Sequence, residues 1–254
     1  MKKKWYLLIL IVSFCLTLTV GYFFGQKQNI KIQNSTSPSP TLVFSPTPST
    51  TNKSSPTTSA SETTLPDSFL IANFPFQSQA PLANWDELHD EACEEASLIL
   101  VNYFLNNQSL SAETMNEEIL KMVDWEIKNW GGHKDLTIAE TAQMAEGFYG
   151  LKNYQIKKNI TISDIKKEIS QNHPVIVPTA GRLLGNPYFR SPGPVYHMVV
   201  VIGYDENTII VQDVGTRRGD HYRYSEQVFL NAIHDWNGDP DNIQTGPKNM
   251  LVFE

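Results

Sequence analysis

Cysteine is nearly absent from this chain of 254 residues, which contains only Cys15 and Cys93. Cys15 lies in an apolar N-terminal run, whereas Cys93 lies in the part of the chain with a globular composition. The two are therefore not expected to pair, so a disulfide framework is excluded and Cys93 is a free thiol. The sequence also lacks internal repeats and a Gly-rich phosphate loop.

Basic residues are scarce in the globular part. Six of the 20 basic residues and one of the 27 acidic residues precede Asp67, which leaves 14 basic and 26 acidic residues and a net charge of −12. So acidic a surface disfavours nucleic acid and anionic membranes as partners. We therefore expect no nucleic-acid partner.

The N-terminus predicts a membrane anchor. Residues 1–4 form a basic n-region with three lysines, and residues 5–25 carry no charged residue. About 20 apolar residues are enough to span a bilayer, and flanking lysines favour the cytoplasmic side. The sequence thus predicts a signal anchor at 5–25 in a single-pass protein of the cell membrane, with the remainder outside the cytoplasm. Secretion after signal cleavage is the alternative.

A spacer separates this segment from the domain. Residues 26–66 are rich in Ser, Thr and Pro, a composition that buries too little apolar surface to fold, so we predict a disordered linker. The folded domain is expected over residues 67–254.

The order of patterns in that domain predicts an α+β fold rather than a doubly wound one. A strand-like run covers 69–76, and four helical patterns follow: one around Cys93 with Asp90 as N-cap, then 115–125, 138–148 with Thr137 as cap, and one from Ser163. Strand patterns dominate afterwards, in "PVIVPTA" and in the hairpin "HMVVVIGYDENTIIVQDVG".

This hairpin predicts a histidine beside an acid. If its turn is centred on Asp205, His197 lies directly opposite Asp213, and a shift of one residue still leaves them diagonal neighbours on one face. A carboxylate orients an imidazole and stabilises its charged form. Cys93, at a helix start and beside an imidazolium, is expected to have a lowered pKa, so the three residues predict a catalytic triad. Gln79, in a preceding loop, is the candidate oxyanion donor, with Gln77 as the weaker choice.

The motifs "FPFQSQAP…W…ACEEAS", "PVIV" and "HMVVVIGYD…VQDVG" resemble the cysteine peptidases related to bacteriocin-processing, double-glycine leader peptidases, which are papain-like. The resemblance implies a helical half with the nucleophile and an antiparallel sheet half with His and Asp. It assigns Cys93 as nucleophile, His197 as base, Asp213 as orienting acid and Gln79 as oxyanion glutamine. The Cys-Glu-Glu-Ala-Ser context departs from the Cys-Gly-Pro or Cys-Gly-Ala of the processing enzymes, so double-glycine leaders are not implied as substrates.

The sequence therefore predicts a thiol peptidase acting on peptides or proteins, with no cofactor and no metal. His89 and His133 fit no strong zinc spacing with Asp86, Asp90 or Asp135. Two other functions stay open: an inactive papain-like module that binds peptides or cell-wall material, and a transglutaminase- or amidase-like acyl transferase. The sequence assigns no role to Glu94, Glu95, Trp85 or Trp130.

Overall fold

The computed structural model describes residues 65–254. The predicted n-region, the predicted anchor and all but the last two residues of the predicted linker lie outside these residues. Within the described part, no helix combines the length and apolar character that crossing a bilayer requires.

Among the described residues, a short first strand is followed by four helices, and the other six strands come later with three further helices between them. The helices are α1 Glu87–Asp90, α2 Cys93–Leu105, α3 Ala112–Trp130, α4 Ile138–Tyr149, α5 Ile162–Ile169, α6 Gly181–Leu184 and α7 Glu226–Ala232, with a 3₁₀ helix at Pro240–Thr245. The strands are β1 Phe69–Leu70, β2 Tyr154–Lys158, β3 Val175–Thr179, β4 His197–Tyr204, β5 Thr208–Gln212, β6 Tyr222–Ser225 and β7 Asn249–Phe253.

All seven strands form one antiparallel sheet in the order β2-β7-β3-β4-β5-β6, and β1 pairs with the end of β4. Strands β3, β4 and β7 are buried along their whole length. Their runs of Val, Ile and Met explain this, because strands covered on both faces need apolar residues at every position rather than at alternate ones.

Helix α2 packs against this sheet. Its first ten residues, from Cys93 to Asn102, are all buried, as expected for a helix that is apolar around most of its circumference. The Ser97 hydroxyl donates a hydrogen bond to the carbonyl oxygen of Met198 (3.4 Å). This contact brings the start of α2 close to the start of β4.

The predicted α+β class is confirmed, with the cysteine in the helical half and the histidine in the sheet half. The first strand is much shorter than the predicted 69–76, because Asn73 adopts a left-handed backbone conformation (φ 58°) that turns the chain away from β4. Helix α3 extends beyond the predicted 115–125, from its N-cap Ser111 to left-handed Gly131. Polar residues at both ends of α3 hid its length from an argument based on apolar periodicity.

The predicted caps have mixed outcomes. Thr137 caps α4 in a full capping box with Glu140, as predicted. Helix α5 begins at Ile162 behind the N-cap Thr161, not at Ser163. Asp90 is not the N-cap of the cysteine helix: it ends α1, and Ala92 precedes α2 without any side-chain cap.

Candidate active site

Cys93 is the first residue of α2, and its side chain is only 5% exposed. The N–H groups of a first helical turn have no partner within the helix, so the backbone there offers donors. The Cys93 thiol donates a hydrogen bond to Glu94 Oε2 (2.9 Å), while Glu94 Oε1 accepts one from the Leu136 N–H (2.9 Å). The Cys93 thiol is thus hydrogen-bonded to the side chain of the next residue, Glu94.

The electrostatics around Cys93 differ from the sequence expectation. Burial, followed by the charge of Glu94, raises the pKa of the Cys93 thiol well above its usual value, whereas the helix-start argument predicts a lowered one. Burial also raises the pKa of Glu94 to about 8. At neutral pH this carboxyl is therefore mostly uncharged and opposes a thiolate less than an ionised glutamate would.

His197 and Asp213 meet as the hairpin predicts, but in the diagonal register. Val200 pairs with Gln212 and Val201 with Val211. The same register, extended by one residue, places Asp213 opposite Val199 rather than opposite His197. The prediction that His197 lies directly opposite Asp213 is therefore wrong, because the turn is centred one residue later than Asp205. His197 Nε2 nevertheless lies 2.8 Å from Asp213 Oδ1, because diagonal neighbours share a face of the sheet.

Asp213 is fully buried and saturated with donors. Its Oδ2 accepts hydrogen bonds from the Tyr224 hydroxyl (2.5 Å) and from Asn186 Nδ2 (3.0 Å), and Oδ1 also accepts one from the Gly215 N–H (3.1 Å). Burial by itself raises the pKa of Asp213, but the charge of His197 and these hydrogen bonds outweigh it and hold the pKa below its usual value. Asp213 is therefore ionised at neutral pH.

The imidazole of His197 is held on two sides. Donation from Nε2–H to Asp213 leaves Nδ1 as the nitrogen that can accept a proton. The Phe189 ring packs edge-on against the imidazole at 5.3 Å between centroids. The ring therefore has one tautomer and little freedom to turn.

Gln79 lies at the site, but its amide is already engaged. Its Nε2 donates to the carbonyl oxygens of both His89 (2.8 Å) and Asp90 (2.9 Å). These bonds fix the chain just before Cys93. Gln77 lies elsewhere, with its Nε2 donating to the Leu110 carbonyl oxygen (3.1 Å).

One cleft of about 450 Å³ brings these groups together. Its lining includes Gln79, Trp85, Cys93, Asp135 and His197. The loop between α6 and β4 lines it from residue 189 to 196 except for 192. Trp85 belongs to the lining, whereas Trp130 packs against Trp125.

The structure thus places Cys93, His197 and Gln79 on one cleft, and Asp213 contacts His197 from outside the cleft lining. A thiol on the same cleft as an oriented imidazole can perform nucleophilic attack on an acyl group once the imidazole takes its proton. Asn186 and Tyr224 were missed by sequence reasoning because they are far from Asp213 in the chain. Only strand pairing between β5 and β6 brings Tyr224 near, and no sequence signal marks Asn186.

Removing the Tyr224 hydroxyl should weaken the fold in a pH-dependent way. Because the pKa of Asp213 is lowered by folding, its contribution to stability is present above the unfolded pKa of about 3.9 and is lost as pH falls through the folded value. Tyr224→Phe should lower the free energy of unfolding at neutral pH by about 1.5–3 kcal/mol. Denaturant unfolding over a pH series measures this, and the deficit should shrink in acid.

Tyr222→Phe is the matched control, since the Tyr222 hydroxyl makes no hydrogen bond within residues 65–254. An equal loss in both variants, or a Tyr224→Phe deficit that does not change with pH, would contradict this account of Asp213.

The comparisons with known proteins agree with this geometry. The model of the Peptidase_C39 like family matches residues 71–239, a span that includes Gln79, Cys93, His197 and Asp213. The chain belongs to this family. A search of curated proteins finds no significant match.

Two solved structures are similar to the chain. One is a protein of Bacillus anthracis described as a C39-like peptidase, with 16% identity, a TM-score of 0.49, and coverage of 74% of this chain and 98% of that one. The other is the Carica candamarcensis cysteine protease CMS1MS2, with 14% identity, a TM-score of 0.42, and coverage of 74% and 97%.

Proposed function

We propose that this protein is a thiol peptidase that hydrolyses peptide or amide bonds through Cys93, His197 and Asp213. The observation that carries the proposal is the position of Cys93 and His197 on one cleft, with His197 Nε2 held 2.8 Å from buried Asp213. Family membership supports it. The proposal includes a location outside the cytoplasm and a membrane anchor at residues 5–25, supported by the apolar run alone.

In the proposed reaction, His197 Nδ1 takes the thiol proton as Cys93 Sγ attacks the carbonyl carbon of the substrate. The C–N bond then breaks, and His197 returns the proton to the departing amine. Water, deprotonated by His197, attacks the resulting thioester, and the acid product leaves as the thiol re-forms. Asp213 holds the imidazole and stabilises its charged form throughout.

Activation requires the thiol to exchange its hydrogen bond to Glu94 for one to His197. Because the pKa of Cys93 is raised by burial, a preformed thiolate is not the expected resting state. Proton transfer to His197 during attack avoids that state, and the mostly uncharged Glu94 carboxyl adds little repulsion.

The oxyanion needs two donors. The Cys93 N–H, at the start of α2, is the first, and Gln79 is the proposed second. One of the amide hydrogens that Gln79 gives to His89 and Asp90 must then be shared with the oxyanion.

Gln79→Ala should therefore lower kcat by about 10²- to 10³-fold, the usual effect of removing one oxyanion donor. It should also cost about 1–3 kcal/mol of stability, because two carbonyl oxygens lose a partner. Gln77→Ala is the matched control, since it loses one bond to a carbonyl oxygen away from the cleft. If the two variants have the same kcat, Gln79 only fixes the chain and is not an oxyanion donor.

The activity itself is tested with a random-sequence peptide library incubated with the purified full chain, with mass spectrometry detecting new termini. The proposal predicts cleavage by the wild type and none by Cys93→Ala. Addition of a primary amine distinguishes hydrolysis from acyl transfer, because transfer yields amide products. Binding of library peptides without cleavage or amide formation would contradict the proposal and favour the inactive binding module.

A further inference from the structure

A cluster of three ionisable side chains, two of them buried and one half-buried, lies near the start of α2 and takes no part in the proposed reaction. It comprises Glu95 on α2, Glu126 on α3 and His133 in the loop between α3 and α4. One ligand atom from each residue lies within 4.8 Å of those of the other two. Glu95 is 1% exposed and Glu126 is 0% exposed.

The polar atoms of this cluster are not satisfied by hydrogen bonds. All four carboxylate oxygens of Glu95 and Glu126, together with His133 Nε2, are buried without a hydrogen-bond partner. His133 Nε2 lies 2.9 Å from Glu95 Oε1, yet without the alignment of a hydrogen bond. Burying two carboxylates is costly, and His133 can offset the charge of at most one of them, so the cluster needs a further positive group or a proton to compensate the other.

From these atoms we infer that Glu95, Glu126 and His133 form a binding site for one divalent transition-metal ion, with Zn²⁺ as the best fit. Two carboxylates neutralise the charge of such an ion. The imidazole nitrogen favours Zn²⁺ over Ca²⁺ and Mg²⁺, which prefer oxygen ligands alone. Two ligands about 2.1 Å from a tetrahedral metal are about 3.4 Å apart, so His133 Nε2 and Glu95 Oε1, now 2.9 Å apart, would separate by about 0.5 Å to hold the ion.

The position of the cluster suggests a structural role. The ion would join α2, α3 and the loop after α3. That loop also carries Asp135, which lines the cleft, and Leu136, whose N–H holds Glu94. A metal here would fix this wall of the cleft relative to the helix that begins with Cys93, without contacting a substrate.

The test is direct measurement of bound metal. The purified full chain is stripped with a chelator, incubated with Zn²⁺, passed through a desalting column and analysed for metal by mass spectrometry. We expect one Zn²⁺ per chain and an unfolding temperature that rises with Zn²⁺ concentration. Glu126→Gln and His133→Gln should each weaken retention at least about 100-fold.

Two matched variants serve as controls: Glu146→Gln changes an exposed glutamate and His221→Gln an exposed histidine. Both should bind Zn²⁺ as the wild type does. All these proteins keep both cysteines, so any Zn²⁺ bound by the thiols is the same in each and does not affect the comparison between them. His133→Gln changes a loop residue and keeps a polar side chain, so it serves if Glu126→Gln fails to fold.

The inference is overturned if the wild type retains no more Zn²⁺ than His133→Gln, or if the controls lose it equally. An unfolding temperature of Glu126→Gln that matches the wild type, with no response of either to Zn²⁺, would also overturn it. That result would mean that the two carboxyl groups share a proton instead of a metal. None of these measurements depends on peptidase activity.

Discussion

Replacing His197 with glutamine should lower the rate of peptide hydrolysis by about 10⁴-fold or more. The substitution removes the base that takes the Cys93 proton, while a glutamine amide can still donate to Asp213. This choice matters because His197 and Asp213 are 1% and 0% exposed. Alanine would leave Asp213 buried without its main partner, a change that typically costs about 3–5 kcal/mol and confuses folding with catalysis.

The measurement is kcat/KM on a peptide identified from the library, with circular dichroism to confirm the fold. His221→Gln is the matched control, since His221 is exposed and pairs only with Asp220 within the described chain. Activity of His197→Gln within tenfold of the control would exclude His197 as the base.

Gly219→Ala should give the largest loss of stability among single-methyl additions near the site. A Cβ at this position would lie 1.8 Å from the carbonyl oxygen and 2.9 Å from the Cβ of Asp213. The backbone of Gly219 or Asp213 must move, and the hydrogen bond from the Asp213 N–H to the Gly219 carbonyl oxygen (2.9 Å) would be lost. We expect a loss of about 3 kcal/mol or more, at the upper end for overpacking.

Gly132→Ala is the matched control, because its added Cβ meets no atom within 4 Å. Denaturant unfolding of the two variants measures the difference. Since Asp213 would shift with the backbone, Gly219→Ala should also lower kcat. Equal unfolding midpoints for the two variants would contradict the close packing of Gly219 on Asp213.

The pairing of His197 with Asp213 was predictable because it depends on the two-residue period of a strand. An error of one residue in the turn centre keeps both side chains on the same face, so contact is preserved although the register is not. The helix containing Cys93 was likewise predictable from its apolar residues. Its start was misjudged because Asp90, a good capping residue, instead ends the short helix α1.

The surroundings of these residues were not predictable. Glu94 and Glu95 follow Cys93 directly, and a helix start rich in acids normally indicates solvent exposure, yet both side chains are 1% exposed. Their burial depends on how the loop after α3 folds over α2, which no local pattern encodes. The same holds for Asn186 and Tyr224 at Asp213, since only tertiary packing brings them together.

The central claim, that His197 activates Cys93, is tested most directly by the rate of Cys93 alkylation. Iodoacetamide is applied to the full chain over a range of pH, and mass spectrometry of the Cys93 peptide separates its reaction from that of Cys15. We predict that Cys93 in the wild type, where His197 can take the thiol proton during attack, reacts at neutral pH at least about tenfold faster than in His197→Gln, which lacks that base. Equal rates in the two proteins at every pH would contradict the claim.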